Sequence, residues 1–391
     1  MKRVINVSCL LTLVLFLQGF GLVQATNEDQ IFQTKPYLQS PMNNGITVMW
    51  TTKVPTYSWV EYGVDKSHLQ KQQLVVNGIV AAYNKIHKFR LENLIPGKRY
   101  YYRVCSREIK DYHAYSKSFG ETAVSEVYSF VLPSANTKNF TAIIFNDLHD
   151  NTTIIDKVTD IAKNIPHDLT IFNGDCMADV HDADQGIKLI SYMNDRVHAS
   201  NTPVMYIRGN HETRDIFALL MPQYIDYVGG KTYGAFNWGD TRFVVYDCGE
   251  DKPDTTYVYY NLNDFSKMRN DEKTFLTKEV ASKAFKMASK RVLIGHVPLF
   301  GSADDYHPCR ELWNPIIKHA PFNISINAHV HSFEYLPRDA FHSFPVVIGG
   351  GPSTNIKSNG AATVMVLQKT GAKMTLKVIR IDGKEILNLD L

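Results

Sequence analysis

Five short clusters of carboxylate, imidazole and amide side chains recur along this chain of 391 residues, each at the end of an apolar run. Asp147 and His149 follow Thr141-Ala142-Ile143-Ile144, and Asn173-Gly174-Asp175 ends the run that begins at Leu169. Gly209-Asn210-His211-Glu212 follows Pro203–Arg208, and Gly295-His296-Val297-Pro298 follows Arg291–Ile294. The last is Ala328-His329-Val330-His331, after Asn323–Asn327. Carboxylate oxygen together with imidazole nitrogen suits zinc, manganese or iron better than calcium or magnesium. Gly174 lets the backbone approach closely, so the Asp175 carboxylate can bridge two cations. The amide oxygen of Asn210 is a neutral, hard ligand. In an extended segment His-x-His turns both rings to the same side.

Each cluster alone has an ordinary reading. Asp-x-His is a polar loop, Gly-Asp a turn capping the next helix, Gly-Asn a turn, and a lone histidine a satisfied strand end. Their joint placement argues otherwise, since the carboxyl ends of strands are where α/β sheets gather ligand sites.

The elements that must position these residues follow from the periodicity. Buried strands are expected at Ala142–Asn146, Leu169–Asn173, Val204–Arg208, Phe243–Asp247, Val292–His296 and Ile324–Ala328, with helices at Thr153–Asn164, Ala183–Val197 and Lys273–Lys290. Strands alternating with helices imply an α/β layer fold. The end is again strand-rich (Val346–Ile348, Ala362–Leu367, Met374–Ile381), and that mixture implies two sheets packed face to face with helices outside, an αββα sandwich. Ahead of it, Phe32–Leu132 is all-β: Ile46, Val48 and Trp50 alternate with Thr47, Met49 and Thr51, which predicts one buried face. Asn77-Gly78 marks a hairpin. Strands at this spacing argue a β-sandwich of about 100 residues that carries no ligand cluster. Ser134–Asn139 reads as the linker.

Lys2 and Arg3, the apolar Leu10–Phe16 and the small-residue end Val23-Gln24-Ala25 read as a secretory signal over residues 1–25. The divisions are therefore 1–25, 26–134 and 139–391. No other stretch is long and apolar enough to span a bilayer. The formal charge of +3 includes Lys2 and Arg3, so the remainder is close to neutral and gives no case for nucleic acid or an anionic membrane. Cys105, Cys176, Cys248 and Cys309 are too few for a disulfide scaffold; free thiols are the default, with a Cys248–Cys309 bridge left open.

The stretch from Leu91 to Tyr100, with Pro96-Gly97 inside it, resembles the fibronectin type III corner, where a tyrosine closes on the preceding turn. The ordered series Asp-x-His, Gly-Asp, Gly-Asn-His-Glu, Gly-His and His-x-His resembles the calcineurin-like metallophosphoesterases, over roughly Asn139 to the end. Lys35-Pro36-Tyr37-Leu38-Gln39, Val48-Met49-Trp50, Trp59-Val60-Glu61-Tyr62-Gly63 and Asn327–Tyr335 look like the purple acid phosphatases among them. The resemblance implies two divalent or trivalent transition-metal ions (iron, manganese or zinc). One would be held by Asp147, His149, Asp175 and His331, the other by Asp175, Asn210, His296 and His329. A water shared by the pair would attack phosphorus in line with the leaving group. His211 would be the catalytic residue, touching a phosphate oxygen or protonating the departing alkoxide. His307 would be a second substrate contact, and Asp150, Asp179 and Glu212 would orient ligands. One departure matters. Purple acid phosphatases lack the first histidine and have a tyrosine three residues after the bridging aspartate. Here Ala178 stands there, so the tyrosinate-to-iron charge transfer has no ligand and ferric iron is not required.

The implied protein is a secreted or periplasmic hydrolase of small phosphate monoesters, with no nucleic-acid partner and no membrane role beyond export. A phosphodiesterase would use the same metal pair, and a non-catalytic metal-containing surface binding protein is a third possibility.

Overall fold

The computed structural model describes residues 28–301 and 306–391. The expected signal segment, residues 1–25, lies outside the described residues. Among the described residues no helix is long and apolar enough to cross a membrane.

From Phe140 onward the layers are αββα. In the first sheet Phe140–Phe145, Leu169–Asn173 and Val204–Ile207 run parallel, with Thr363–Thr370, Lys373–Arg380 and Glu385–Asp390 added antiparallel at one side. The second sheet holds Gly234–Trp238, Thr241–Val245, Lys290–Ile294, Ile324–Asn327, Val346–Ile348 and Glu334–Leu336 in that spatial order. Alternate residues of the strands sort the layers. Ala142, Ile144, Ile171, Met205 and Ile207 meet Phe243, Val245, Ile294 and Ile326 between the sheets. Ile143, Phe145, Phe172 and Tyr206 face the helices Thr152–Lys163 and Ala183–Arg196 through Ile154, Val158, Ile187 and Ile190. Val244, Tyr246 and Leu293 face the other helices through Leu276, Phe285 and Trp313. Period-two strands buried on both faces are what two helix layers around two sheets require.

The expected helix Lys273–Lys290 is a correction: the structure has Phe265–Ala281 and then a separate Lys283–Met287. Ser282 makes the break, since its Oγ accepts the Phe285 N–H at 3.1 Å and starts a new helix.

The N-terminal strands also depart from the expected pattern. Gly45–Gly63 runs for 19 residues, pairing with Ala82–Leu91 in its first part and with Arg99–Tyr112 in its second. The register shifts between Thr51 and Thr56, around Pro55, so a single sheet wraps around Trp50, Val60, Phe89 and Tyr102. This sheet is continuous with the first sheet of the α/β region, because Tyr37–Met42 lies parallel to Val204–Ile207 at Gln39 opposite Val204. Thr47, Met49 and Thr51, expected to face solvent, are therefore buried. Met49 packs with Phe145 and Tyr206, and Thr47 Oγ1 donates to Asp226 Oδ2 at 2.6 Å. Asn77 and Gly78, both at positive φ, turn the short Val75–Val76 and Ile79–Val80 pair as the sequence implies. Tyr100 accepts the Ile95 N–H on its hydroxyl at 2.9 Å.

A buried histidine in this sheet carries a stability prediction. His87 is 4% exposed, and its Nε2 meets Thr56 Oγ1 at 3.0 Å, Thr52 Oγ1 at 3.2 Å and Ser58 Oγ at 3.3 Å. These hydroxyls satisfy a neutral ring, and burial pulls its pKa down from 6.5 to about 3. The folded pKa lies below the unfolded one, so the contribution is complete above pH 6.5 and is lost as pH falls toward 3. Wild type is expected to lose a few kcal/mol over that window that His87→Gln keeps. Urea melts of both proteins at pH 7 and pH 4 check this, and equal losses would remove His87 as the cause.

Candidate metal centre

The clusters converge because the sheets present their carboxyl ends to one crevice. Asp147 follows Phe140–Phe145, Asp175 follows Leu169–Asn173 and Asn210 follows Val204–Ile207. From the second sheet, His296 follows Lys290–Ile294, and His329 and His331 follow Ile324–Asn327. One ligand atom each from Asp147, His149, Asp175 and His331 lies within 4.8 Å of the others; a second such group is Asp175, His296 and His329. Asp175 belongs to both groups.

Backbone strain concentrates here. Asp147 (φ 49°), His149 (φ 47°), Asp175 (φ 49°), His329 (φ 73°) and His331 (φ 54°) all lie in the left-handed region. For residues other than glycine this costs about 1–3 kcal/mol each, and it is tolerated where the surroundings over-determine the position. The His-x-His segment is therefore a turn, which corrects the extended geometry read from the sequence. Its two rings point to different groups. His331 Nε2 is 3.0 Å from His149 Nε2 and 3.5 Å from Asp147 Oδ1, whereas His329 Nδ1 is 2.9 Å from Asn210 Oδ1.

The residues fit a pair of cations on two counts. Asp147 Oδ1 is buried with no hydrogen-bond partner, yet the Nε2 atoms of His331, His296 and His149 lie 3.5, 3.8 and 3.9 Å away. The Asn210 side-chain oxygen faces only acceptors: that amide position is 2.9 Å from His329 Nδ1 and 3.2 Å from both His296 Nε2 and Asp175 Oδ2. A cation among these atoms satisfies what an amide alone would relieve by flipping. Oxygen and imidazole nitrogen in both groups match transition-metal preferences.

The surroundings hold the donors in place. Asn146 Nδ2 donates to Asp147 Oδ2 at 2.8 Å, leaving Oδ1 to face the histidines. His296 Nδ1–H donates to the Asn173 carbonyl at 2.9 Å, which leaves Nε2 facing Asp175 Oδ2, 3.1 Å away. Burial opposes charge on both partners of that pair but is outweighed: Asp175 and Asp147 push His296 up to about 10, and His296 and His211 hold Asp175 below its usual range. Buried Glu212 accepts the N–H groups of Asp175 and Gly209 at 2.8 Å and of Met177 at 3.0 Å, locking two ligand loops together. Its own pKa is raised to about 7, by burial first and then by Asp175.

His211 sits at the edge of the cluster. Its Nε2 is 4.0 Å from Asp175 Oδ2 and 3.0 Å from Arg214 Nη1, and its Nδ1 is 3.3 Å from Asp179 Oδ1. Asp150 Oδ1 accepts the Ala178 N–H at 3.0 Å, and burial raises its pKa to about 6. His307 is not among the converging atoms. It precedes the helix Pro308–Ile317 and lines a small cavity with Glu250, Asp251, Val297 and Pro298, beside the cluster. The sequence reading missed Asn146, Arg214, Glu250 and Asp251. Arg214 reaches Glu250 from both Nε (3.0 Å) and Nη2 (2.8 Å), and Asp251 Oδ2 lies 4.0 Å from His329 Nε2. Asn146 and Arg214 adjoin clusters already singled out; Glu250 and Asp251 belong to none.

Gly174 is a sharp constraint. It has φ +80°, and a Cβ there would lie 2.5 Å from Cγ and Nδ1 of the His296 ring. Gly174→Ala is expected to cost about 2–4 kcal/mol from left-handed strain and overpacking. It should also displace His296 and lower bound metal. Denaturant melts and elemental analysis read both effects, and an unperturbed, fully loaded variant would contradict the contact.

This architecture and site define a metal-dependent phosphoesterase. The model of the calcineurin-like phosphoesterases matches residues 140–333, and that of the purple acid phosphatase N-terminal domain matches residues 32–132. The chain is a calcineurin-like metallophosphoesterase with a purple acid phosphatase-like N-terminal domain, a hydrolase of phosphoric esters from a family built on dinuclear metal centres. Among solved structures, purple acid phosphatase PPD1 from yellow lupin (Lupinus luteus) seeds is similar in fold (TM-score 0.65, 16% identity), covering 91% of this chain and 73% of that one. PhoD is also similar in fold (TM-score 0.61, 12% identity), with 92% of each chain covered. No curated protein sequence matches the chain.

Proposed function

We propose that this hydrolase is an exported phosphomonoesterase whose metal pair is held by Asp147, His149, Asp175 and His331 on one side and by Asp175, Asn210, His296 and His329 on the other. The observation that carries the ligand assignment is the unpartnered, buried Asp147 Oδ1 facing three imidazole nitrogens. Bound there, two cations supply Lewis-acid charge for the phosphate oxygens and an activated water. The remaining work belongs to the chain. His211 donates to a phosphate oxygen or protonates the leaving alkoxide, with Asp179 and Arg214 beside its ring fixing the orientation. His307, on the cavity next to Asp251, contacts the part of the substrate away from phosphorus. Residues 26–134 serve as a fibronectin type III-like scaffold, a reading supported by the Tyr100 closure on Ile95, and 139–391 as the catalytic unit. Residues 1–25 direct export, and the mature chain is expected to begin at Thr26.

The departure at Ala178 favours a second reading, hydrolysis of diesters by the same residues. Elemental analysis followed by p-nitrophenyl phosphate and its bis ester separates the possibilities. Two metal equivalents per chain and faster turnover of the monoester are expected, with both metal and activity removed by a chelator. A faster bis ester would make it a phosphodiesterase. Metal-loaded protein that binds phosphate and cleaves neither ester would be a binding protein instead.

A further inference from the structure

We propose that Arg269 is a positioning residue for turnover: from the helix Phe265–Ala281 it fixes Glu250, and through Glu250 and Arg214 it sets the orientation of the His211 ring. Arg269 is 2% exposed, and three nitrogens of its guanidinium donate. Nε donates to the Cys248 carbonyl at 2.9 Å, Nη2 to the Glu250 carbonyl at 2.8 Å and Nη1 to the Tyr306 hydroxyl at 3.1 Å. One turn further along, Glu272 accepts the Asp247 N–H at 3.0 Å, so the same helix face holds both ends of the stretch Asp247–Glu250. The Trp313 indole N–H, 3.1 Å from the Arg269 carbonyl, pins the helix at that point.

Burying a guanidinium is costly unless its donors are matched, and here all three acceptors are neutral. The three bonds therefore locate two carbonyls and a hydroxyl, and neutralise no carboxylate. A planar fork suits that work, because it holds two carbonyls at once in a fixed geometry that the single ammonium of a lysine does not provide. What the stretch carries is Glu250, whose carboxylate takes Arg214 Nε at 3.0 Å and Nη2 at 2.8 Å. That grip turns Arg214 Nη1 toward the His211 ring, 3.0 Å from Nε2. The Arg269 fork and the Arg214–carboxylate pair are both two-point contacts, which leave little freedom to rotate. A displacement of Arg269 therefore reaches His211, although Arg269 belongs to the helix layer outside the second sheet.

The inference rests on the reading of His211 as the catalytic residue, and a double-mutant cycle in the metal-loaded full chain separates the two. Arg269→Met is expected to lower kcat by about 10- to 10²-fold, as a misplacement of about 1 Å does, with both metal equivalents in place. In a His211→Asn background the same substitution should change kcat by no more than about twofold, because the route ends at that ring. A residue that merely supports the fold would lower kcat by the same factor in both backgrounds. That result, or wild-type turnover in Arg269→Met, overturns the proposal and leaves His211 catalytic. Loss of bound metal in Arg269→Met also overturns it, since the centre itself would then depend on Arg269. His211→Asn with wild-type turnover removes the reading of His211, and the proposal with it. Should Arg269→Met fail to fold, Arg269→Lys takes its place, keeping the charge and losing the fork. It is expected to show a smaller fall in kcat and the same absence of effect in His211→Asn.

Discussion

Asp175→Asn is expected to reduce esterase turnover by on the order of 10³-fold or more, the several kcal/mol of transition-state stabilisation a catalytic metal supplies at tenfold per about 1.4 kcal/mol. Asp175 is the only residue common to both groups of converging donors, with Oδ2 3.1 Å from His296 Nε2 and 3.7 Å from His149 Nε2. Asparagine keeps the size and one acceptor oxygen, so Oδ1 can still receive the His211 N–H at 3.0 Å. What it removes is the negative charge that lets two cations sit side by side. Bound metal should fall from two equivalents to one or none while the circular dichroism spectrum stays that of wild type. A variant retaining two equivalents and a tenth of the activity would show that Asp175 is not shared.

The second large effect is expected at His211, with the opposite metal signature. His211→Asn should lower kcat by about 10²- to 10⁴-fold, the range for a positioned acid or base, and leave both metal equivalents in place. The imidazole points across the cluster at Asp175 Oδ2 from 4.0 Å and is braced by Asp179 and Arg214. Two roles can be told apart by the leaving group. If His211 protonates the departing oxygen, the loss is severe for an alkyl phosphate and mild for p-nitrophenyl phosphate, whose leaving group needs little help. If it binds a phosphate oxygen, both substrates lose equally. Metal loss in His211→Asn would mean that the ring supports the centre itself and takes no part in turnover.

The local sequence determined the elements and the chemical types at their ends. Short runs such as Leu169–Phe172 and Val292–Ile294, rich in β-branched residues, read as buried strands, and a carboxylate, amide or imidazole soon after each is then placed at the carboxyl end of the sheet. The convergence of Asp147, Asp175, Asn210 and His296 was legible for that reason. Other features were not, because they depend on contacts that no short window contains. The left-handed backbone at His329 and His331, which sends the two rings to different groups, is imposed by the packed loops around them. Burial of Thr47 and Met49 follows from one parallel pairing, Gln39 with Val204, that fuses the first β region to the catalytic sheet. Glu250 and Asp251, in no recognisable cluster, reach the site only because the chain after Thr241–Val245 passes beside Arg214 and His329. Periodicity and residue type are properties of a strand or a turn; which loops share a crevice is settled by how two sheets stack, and that is decided only in three dimensions.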